Sequence, residues 1–357
     1  MTSVHQFVPT LEPGAVGAHV LEIRRILDDM GVASETFTEH LRGSMVGHGR
    51  DFRDYGRAVP ARPGDVLVFH VAIGSPVADF VAAQPGRLVL DHHNITPPSF
   101  WAGWEPAVVP AAAWARRQLA DLGPRAELGI AHSRYSEREL HDVGCHHTAV
   151  VPVLIDLAGY DRAVDEAALE RLAHPTGAVW LFVGRVAPNK AHHDIIKAFA
   201  VHRRVYDPHA VLRLVGGSSS DRYVEALRQL ITALGLDGAV ELTGSVSDGE
   251  LAAHYRAADV FVCLSDHEGF CVPLLEAMHH GLPIVAYDAT AVGETLGSAG
   301  IALPGKSPAV VAAAVQRVLT DDPLRAGLVA AGRTRLAELD LATTAARYRA
   351  QLEGLLG

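Results

Sequence analysis

Two cationic side chains lie five positions apart, directly after an apolar run. Arg185 and Lys190 stand in the segment GRVAPNK, residues 184–190, which follows the run Val179 to Val183. Arginine offers a forked set of donors and lysine a compact charge, so together they could neutralise the charge that grows on a departing nucleoside diphosphate. A solvated surface loop is the other interpretation of this pair.

Two carboxylates follow a second apolar run, Val260 to Cys263. Glu268 and Glu276 lie in the segment SDHEGFCVPLLEAM, residues 265–278. Because Pro273 suits the first position of a helix, we expect Glu268 in a loop and Glu276 in the first helical turn. Carboxylates there can accept hydrogen bonds from sugar and ribose hydroxyls. The alternative is that Glu276 only complements the helix dipole and Glu268 is solvated.

Short aliphatic runs alternate with longer helical patterns, and this alternation predicts parallel sheets with crossover helices. In such sheets ligands bind beyond the carboxyl ends of the strands, where the residues above are found. The predicted strands form two series: Val4 to Val8, Val66 to His70, Arg87 to Asp91 and Leu128 to Ala131; then Val179 to Val183, Val211 to Val215, Val240 to Thr243, Val260 to Cys263, Pro283 to Ala286 and Gly300 to Leu303.

The length of 357 residues suits two domains better than one. A strand that ends near Pro152 is followed by a polar, acidic stretch, so the boundary is placed near Gly159. The predicted organisation is an N-terminal acceptor-side lobe over residues 1–158 and a C-terminal donor lobe over 159–340. Residues 341–357 are expected to form a helix that packs back toward the N-terminal lobe.

Composition and charge narrow the functional class. The formal net charge of -10 disfavours nucleic-acid binding through the phosphate backbone, because that mode requires dense lysine and arginine. Three cysteines are too few for a disulfide framework, and no signal peptide or long apolar span is visible. We therefore expect a soluble cytoplasmic protein, and peripheral contact with the inner face of the membrane remains compatible with the sequence.

These motifs, taken together, resemble the signature of family 4 retaining glycosyltransferases. The resemblance rests on Gly184-Arg185 with Lys190 and on Glu268-Gly269-Phe270 with Glu276, at the spacing of that family, and continues through residues 242–246, 255–259 and 281–286. It implies that Arg185 and Lys190 hold the donor diphosphate, that Glu268 contacts the donor sugar and that Glu276 binds the ribose hydroxyls. The resemblance also implies donor contacts at Gly184, Val246, Gly269 and Phe270.

The first half of the chain resembles the family more loosely. Gly14 and Gly17 correspond to its glycine-containing loop beneath donor and acceptor, although a tight turn would also use glycine. The segment HNITPP, residues 93–98, resembles bacterial polysaccharide mannosyl- and rhamnosyl-transferases, and aligns His93 with the active-site histidine of the family. Relatives usually carry tyrosine at the position of His92 and asparagine at that of His132, so acceptor-side chemistry is expected to differ.

The resemblance implies an α/β protein of the GT-B type, with two doubly wound, Rossmann-like parallel-sheet lobes and an active-site cleft between them. The implied activity is retaining transfer of a hexose from a nucleoside-diphosphate sugar to a hydroxyl on a glycan, lipid-linked or small-molecule acceptor. GDP-mannose is favoured as donor over a UDP-sugar. The alternatives are a noncatalytic nucleotide-sugar-binding partner subunit and a GT-B phosphorylase or epimerase.

Metal and cofactor sites are not expected from the sequence. The 20 histidines include adjacent pairs, but no paired cysteine or histidine spacing suits structural zinc, and no Asp-x-Asp pair occurs to hold a diphosphate cation. Gly300 to Ser307 satisfies the Walker A pattern, yet apolar residues inside it indicate a strand. Arg185 and Lys190 are therefore expected to replace a metal, with no further cofactor.

Overall fold

A computed structural model describes residues 2–157, 164–173 and 175–356. The chain divides into two compact units. The N-terminal unit comprises Met1–Ala102, Pro106–Ile155 and Leu339–Gly357, and the C-terminal unit comprises Gly103–Glu105 and Asp156–Glu338. The predicted boundary at Gly159 lies outside the described residues.

The described part of the N-terminal unit contains one parallel sheet of seven strands, in the spatial order β3-β2-β1-β4-β5-β6-β7. Its four predicted strands are present, and β7 is the strand that was expected to end near Pro152. Strands β2 and β3 were not predicted, because β2 is polar and β3 has only two residues. The strands are β1 Val4–Leu11, β2 Thr36–Leu41, β3 Arg50–Asp51, β4 Val66–Val71, β5 Arg87–His92, β6 Leu128–Ala131 and β7 Thr148–Val150.

The C-terminal unit contains a second parallel sheet, of six strands over the described residues, in the order β10-β9-β8-β11-β12-β13. All six predicted strands are present, with ends shifted by one residue at most. They are β8 Val179–Val183, β9 Val211–Val215, β10 Val240–Gly244, β11 Val260–Cys263, β12 Ile284–Tyr287 and β13 Gly300–Leu303. Strand β13 lies inside the Walker A pattern, as expected, so that segment is not a phosphate loop.

Helices cover the sheets and connect their parallel strands. Serines cap several of them, as at Ser247, whose side chain accepts a hydrogen bond from the backbone N–H of Glu250 and so forms the predicted N-cap. The helices over the described residues are α1 Ala15–Asp29, α2 Pro76–Ala82, α3 Val109–Leu122, α4 Arg134–Asp142, α5 Glu166–Leu172, α6 His192–Val205, α7 Asp221–Ala233, α8 Asp248–Arg256, α9 Val272–His279, α10 Val292–Leu296, α11 Pro308–Thr320, α12 Asp322–Glu338 and α13 Leu341–Leu356.

Each sheet reverses its strand order at one point. In the N-terminal sheet the chain runs outward from β1 to β3 and then returns to place β4 on the other side of β1. In the C-terminal sheet it runs from β8 to β10 and returns to place β11 beside β8. Loops diverge at such a reversal and leave a crevice at the carboxyl ends of the two central strands, which is where ligands bind.

Central strands are buried on both faces, as the continuous aliphatic runs indicate. All five residues of β8 are buried, and Trp180 and Phe182 pack within one core that spans the C-terminal sheet and its helices. None of the described helices combines the length and apolar character required to cross a membrane.

Candidate functional site

The cationic and acidic motifs of the C-terminal unit meet at its strand reversal. Arg185 and Lys190 follow β8, Glu268 follows β11, and these two strands are hydrogen-bonded neighbours. A single 3-10 turn over Pro188–Lys190 ends the first loop, and Pro188 fixes its backbone. The fold therefore brings together side chains 78 positions apart in the chain.

Lys190 and Glu268 form an ion pair. Lys190 Nζ donates to Glu268 Oε2 at 2.6 Å, and only 23% of the lysine side chain and 8% of the glutamate side chain are exposed. Burial by itself lowers the pKa of the Lys190 ammonium, but the charge of Glu268 and the nearby Cys271 raise it above its ordinary value. The lysine is thus a fixed cation beside the loop that carries Glu268.

Hydrogen bonds that each involve a backbone atom hold the two loops in place. Asn189 Nδ2 donates to the carbonyl of His267, and the N–H of Asp266 donates to the carbonyl of Asn189. The N–H of Glu268 donates to Thr290 Oγ1 at 2.9 Å. Glu268 is therefore positioned from both sides before any ligand binds, as catalytic preorganisation requires.

Arg185 differs from Lys190 in its surroundings. Its side chain is exposed, and no described residue forms a hydrogen bond or ion pair with its guanidinium. Gly184, which precedes it, has a φ of 155° and lies at the end of β8. Arg185 is therefore available to an anionic ligand at the carboxyl edge of the sheet.

Glu276 lies one residue further into its helix than the sequence indicates. Helix α9 begins at Val272 rather than Pro273, so Glu276 is its fifth residue and lies in the second turn, which corrects the expectation of a first-turn position. The carboxylate is buried, and Tyr255 donates its hydroxyl hydrogen to Glu276 Oε2 at 2.6 Å. The Tyr255 hydroxyl orients the carboxylate, which is the arrangement of a binding group rather than of a side chain that only complements the helix dipole.

The remaining predicted donor residues of this unit have different exposures. Phe270 is buried, and its carbonyl accepts a hydrogen bond from Thr295 Oγ1. Gly269 lies between Glu268 and Phe270 in the same loop. Val246, after β10, is half-buried and packs against the core of the unit.

The N-terminal unit places Gly14 and Gly17 at the start of α1. Gly14 is the N-cap residue, with a φ of 139°, a conformation that favours glycine. At Gly17 any side chain would collide with the carbonyl oxygen of Glu12. Glycine at both positions thus has a structural reason.

His93 follows β5 but does not stand alone there. Its Nε2 lies 2.9 Å from His70 Nδ1, and its Nδ1 lies 3.1 Å from His132 Nε2. Ligand atoms of His19, Asp91, His93 and His132 all lie within 4.8 Å of one another. Pairwise sequence spacing could not reveal this group, because its members come from α1, the end of β5 and the residue after β6. The one available signal was position: three of the four lie at carboxyl ends of strands.

A second convergence involves two of the three cysteines. Cys263 Sγ and Cys271 Sγ are 3.9 Å apart, and Glu268 lies within 4.8 Å of both.

Lys306, the lysine of the Walker A pattern, bridges Asp194 and Asp266 with two 2.6 Å contacts. It therefore supports the loop that precedes Glu268.

Comparison with known proteins identifies relatives over nearly the whole chain. A family model described as "Glycosyl transferases group 1" matches residues 165–335. A D-inositol 3-phosphate glycosyltransferase of Geodermatophilus obscurus is 30% identical over 386 residues, which cover 91% of this chain and 81% of the relative. A GDP-mannose-dependent alpha-(1-6)-phosphatidylinositol monomannoside mannosyltransferase of Mycobacterium tuberculosis is 34% identical over 160 residues, covering 42% of this chain and 40% of the relative.

The fold also matches solved structures. Sucrose-phosphate synthase of Thermosynechococcus elongatus superposes with a TM-score of 0.79 over 100% of this chain and 99% of its own length, at 20% identity. At that identity the likeness shows the fold alone. It confirms the expected GT-B architecture of two parallel-sheet lobes.

Proposed function

This chain belongs to the group 1 glycosyl transferases, and we propose that it transfers a hexose from a nucleoside-diphosphate sugar to a hydroxyl acceptor with retention at the anomeric carbon. The observation that carries the proposal is the meeting of the β8 and β11 loops at the strand reversal. There Arg185, Lys190 and Glu268 combine two cations with a carboxylate that is already positioned.

Charge at the diphosphate would supply most of the rate enhancement. Breaking the bond between the anomeric carbon and the phosphate oxygen leaves negative charge on the departing nucleoside diphosphate. Arg185 is exposed and free to move to this charge, while Lys190 is held in place. The donor would thus be bound without a divalent cation, which the two side chains replace.

Retention needs no covalent intermediate on the protein in this proposal. The departing phosphate oxygen takes the proton of the acceptor hydroxyl, and the new bond forms on the face that the phosphate leaves. Glu268 would accept hydrogen bonds from hydroxyls of the donor sugar, and Glu276 from those of the ribose. His93, whose two ring nitrogens contact His70 and His132, would act through that group rather than as an isolated base.

The donor and acceptor are proposed from the relatives. GDP-mannose is favoured as donor because the mycobacterial relative is named as GDP-mannose-dependent, and UDP-sugars are the second choice. The Geodermatophilus relative is named for D-inositol 3-phosphate, so a phosphorylated polyol is the first small-molecule acceptor to examine. Lipid-linked and glycan hydroxyls complete the acceptor set.

A donor screen followed by product analysis tests the proposal. Thermal unfolding is measured with GDP-, UDP-, ADP- and TDP-sugars, since a ligand at about 100 times its Kd stabilises the folded state by about 2.7 kcal/mol. The stabilising donor is then incubated with acceptors, and NMR of the product should show the anomeric configuration of the donor. Inversion would overturn the mechanism. Binding without turnover would indicate a noncatalytic subunit, and turnover that requires phosphate or yields an isomerised donor would indicate a phosphorylase or epimerase.

A further inference from the structure

The N-terminal unit contains a buried group of four metal-binding side chains, His19, Asp91, His93 and His132, here called the histidine–aspartate cluster. Three of the four follow or end the neighbouring strands β5 and β6, and His19 lies on the buried face of α1. Asp91 is fully buried, and no lysine or arginine forms an ion pair with it among the described residues. An unneutralised carboxylate at this depth is costly, so the cluster requires a positive charge.

Hydrogen bonds show which carboxylate oxygen of Asp91 already has donors. Its Oδ2 accepts from the Tyr348 hydroxyl at 2.8 Å and from His19 Nε2 at 3.1 Å. His19 must carry its proton on Nε2, because its Nδ1 accepts the backbone N–H of Leu154 at 2.9 Å. His19 is therefore a donor to Asp91 and has no lone pair to offer a metal ion.

Asp91 Oδ1 is the unsatisfied atom of the cluster. It has no hydrogen-bond partner, although His132 Nε2 lies 3.0 Å away. The short approach without a hydrogen bond means that the oxygen lies off the N–H direction of the ring. A proton on His132 Nε2 would thus point to His93 Nδ1 and leave Asp91 Oδ1 unpaired.

Hydrogen bonds also assign the protons of His132 and of His70, the neighbour of His93 outside the cluster. His132 Nδ1 donates to the carbonyl of Val151 at 2.9 Å. His70 Nε2 donates to Gln6 Oε1, whose amide nitrogen in turn donates to the carbonyl of Val20. His70 Nδ1 is then an acceptor, so His93 donates from Nε2.

This assignment leaves His93 Nδ1 and His132 Nε2 facing each other at 3.1 Å, each with a lone pair when its ring is neutral. Asp91 Oδ1 lies 3.0 Å from His132 Nε2 and 3.4 Å from His93 Nε2. Two lone pairs and a carboxylate oxygen thus belong to one buried group whose ligand atoms lie within 4.8 Å of one another, an arrangement that a cation stabilises.

We propose that Asp91 Oδ1, His93 Nδ1 and His132 Nε2 bind a divalent first-row transition-metal ion. Ligand atoms about 2.1 Å from one ion, at angles of about 90 to 110°, lie roughly 3.0–3.4 Å apart, which the observed separations from His132 Nε2 match. Two imidazoles and one carboxylate suit Zn²⁺ or Fe²⁺. The outer contacts to Val151, His70, Tyr348 and His19 have the form that supports metal ligands elsewhere.

This ion is distinct from a donor-bound cation. Its ligands all belong to the N-terminal unit, whereas the residues proposed for the diphosphate belong to the C-terminal unit. The inference does not depend on the proposed transfer reaction, because metal content is measured without substrate. A bound ion would also hold the ring of His93 in one orientation.

Metal stoichiometry tests the proposal directly. The full chain is stripped with a chelator, loaded with Zn²⁺ and freed of excess by gel filtration, and bound zinc is measured by mass spectrometry. We expect about one equivalent in the wild type and less than about a tenth of that in Asp91→Asn and His132→Gln. Co²⁺ loading should add visible d–d absorption bands that both variants lack.

Two controls keep the result interpretable. His92→Gln changes the neighbouring buried histidine, which pairs with Glu139 outside the cluster, and should retain the metal. Cys263→Ser removes one ligand from the other candidate group, Cys263, Glu268 and Cys271, and should also retain the metal. Absence of zinc and cobalt binding in the wild type overturns the proposal and leaves a shared proton as the charge of the cluster. Loss of the metal from Cys263→Ser, with retention in Asp91→Asn and His132→Gln, overturns it as well.

Discussion

Lys190 Nζ lies 2.6 Å from Glu268 Oε2, so two residues that the family resemblance assigns to different parts of one donor are each other's ionic partner. A diphosphate at this edge of the sheet would compete with Glu268 for the ammonium, and sugar hydroxyls would then satisfy the carboxylate. The pair thus holds both groups in position before the donor binds. Removal of one partner should affect folding as well as function.

Lys190→Ala is expected to lower the free energy of unfolding by about 1–3 kcal/mol, because it leaves the buried carboxylate of Glu268 without a cation. Nucleoside-diphosphate affinity should fall, and turnover should fall by about 100-fold or more. Calorimetry, thermal unfolding and steady-state kinetics measure the three effects. Lys197→Ala, at a half-exposed lysine in the next helix, is the control. Wild-type kinetics in Lys190→Ala would remove this residue from the diphosphate site.

Arg185→Ala should separate binding from stability. Its exposed guanidinium has no partner among the described residues, so the unfolding free energy should change by less than about 0.5 kcal/mol. Loss of a charged hydrogen bond to the diphosphate should still weaken affinity by roughly 10- to 150-fold. Arg228→Ala, at an exposed arginine in α7, is the matched control. Equal nucleotide affinities in Arg185→Ala and wild type would return this loop to a solvated role.

Glu268 and Glu276 should respond differently to free nucleotide. Glu276→Ala is expected to weaken free nucleoside diphosphate and intact donor alike, by roughly 10- to 150-fold. Tyr255→Phe, which removes the hydroxyl on Glu276, should have the same effect to a smaller degree. Glu268→Ala should bind free nucleotide at least as tightly as wild type, because Lys190 loses its competing partner, while transfer is reduced. Calorimetry of the three variants with nucleotide and with donor decides the assignment. Equal losses of free-nucleotide affinity in Glu268→Ala and Glu276→Ala would contradict it.

Nucleotide affinity should be independent of divalent cations. Because Arg185 and Lys190 replace the metal in the proposed donor site, the Kd for the cognate nucleoside diphosphate should agree within about twofold in Mg²⁺ and in EDTA. A titration in each buffer measures this. A Kd that rises tenfold or more in EDTA and returns with Mg²⁺ or Mn²⁺ would show that a cation holds the diphosphate.

Acid should destabilise the C-terminal unit through His254. Burial, followed by the charges of Arg213 and Arg171, lowers the pKa of this histidine to about 4. Its unfolded pKa is about 6.5, so the stability it contributes is complete above about pH 6.5 and is lost as the pH falls toward 4. When the pH falls from about 7.5 to 5, the unfolding free energy of the wild type should therefore drop by about 1–2 kcal/mol more than that of His254→Gln. Thermal unfolding across this range provides the measurement, with the exposed His209→Gln as control. Parallel pH profiles in wild type and His254→Gln would contradict the assignment.

The sequence by itself determined the two parallel-sheet lobes, because aliphatic runs buried on both faces are recognisable without knowing their neighbours. It also located Arg185, Lys190 and Glu268 at strand ends. Strands β2 and β3 were missed, since polar or very short segments become strands only when a neighbour supplies hydrogen bonds.

Only the tertiary structure decided which side chains share partners. The ion pair of Lys190 with Glu268 joins residues 78 positions apart, and the hydrogen bond from Tyr348 to Asp91 joins residues 257 apart. Strand order decides such distances, since β11 lies beside β8 although other strands intervene in the chain. The convergence of His93 with Asp91 and His132 arises in the same way, because parallel neighbours β5 and β6 bring their carboxyl ends to one edge, whatever the spacing of their residues in sequence.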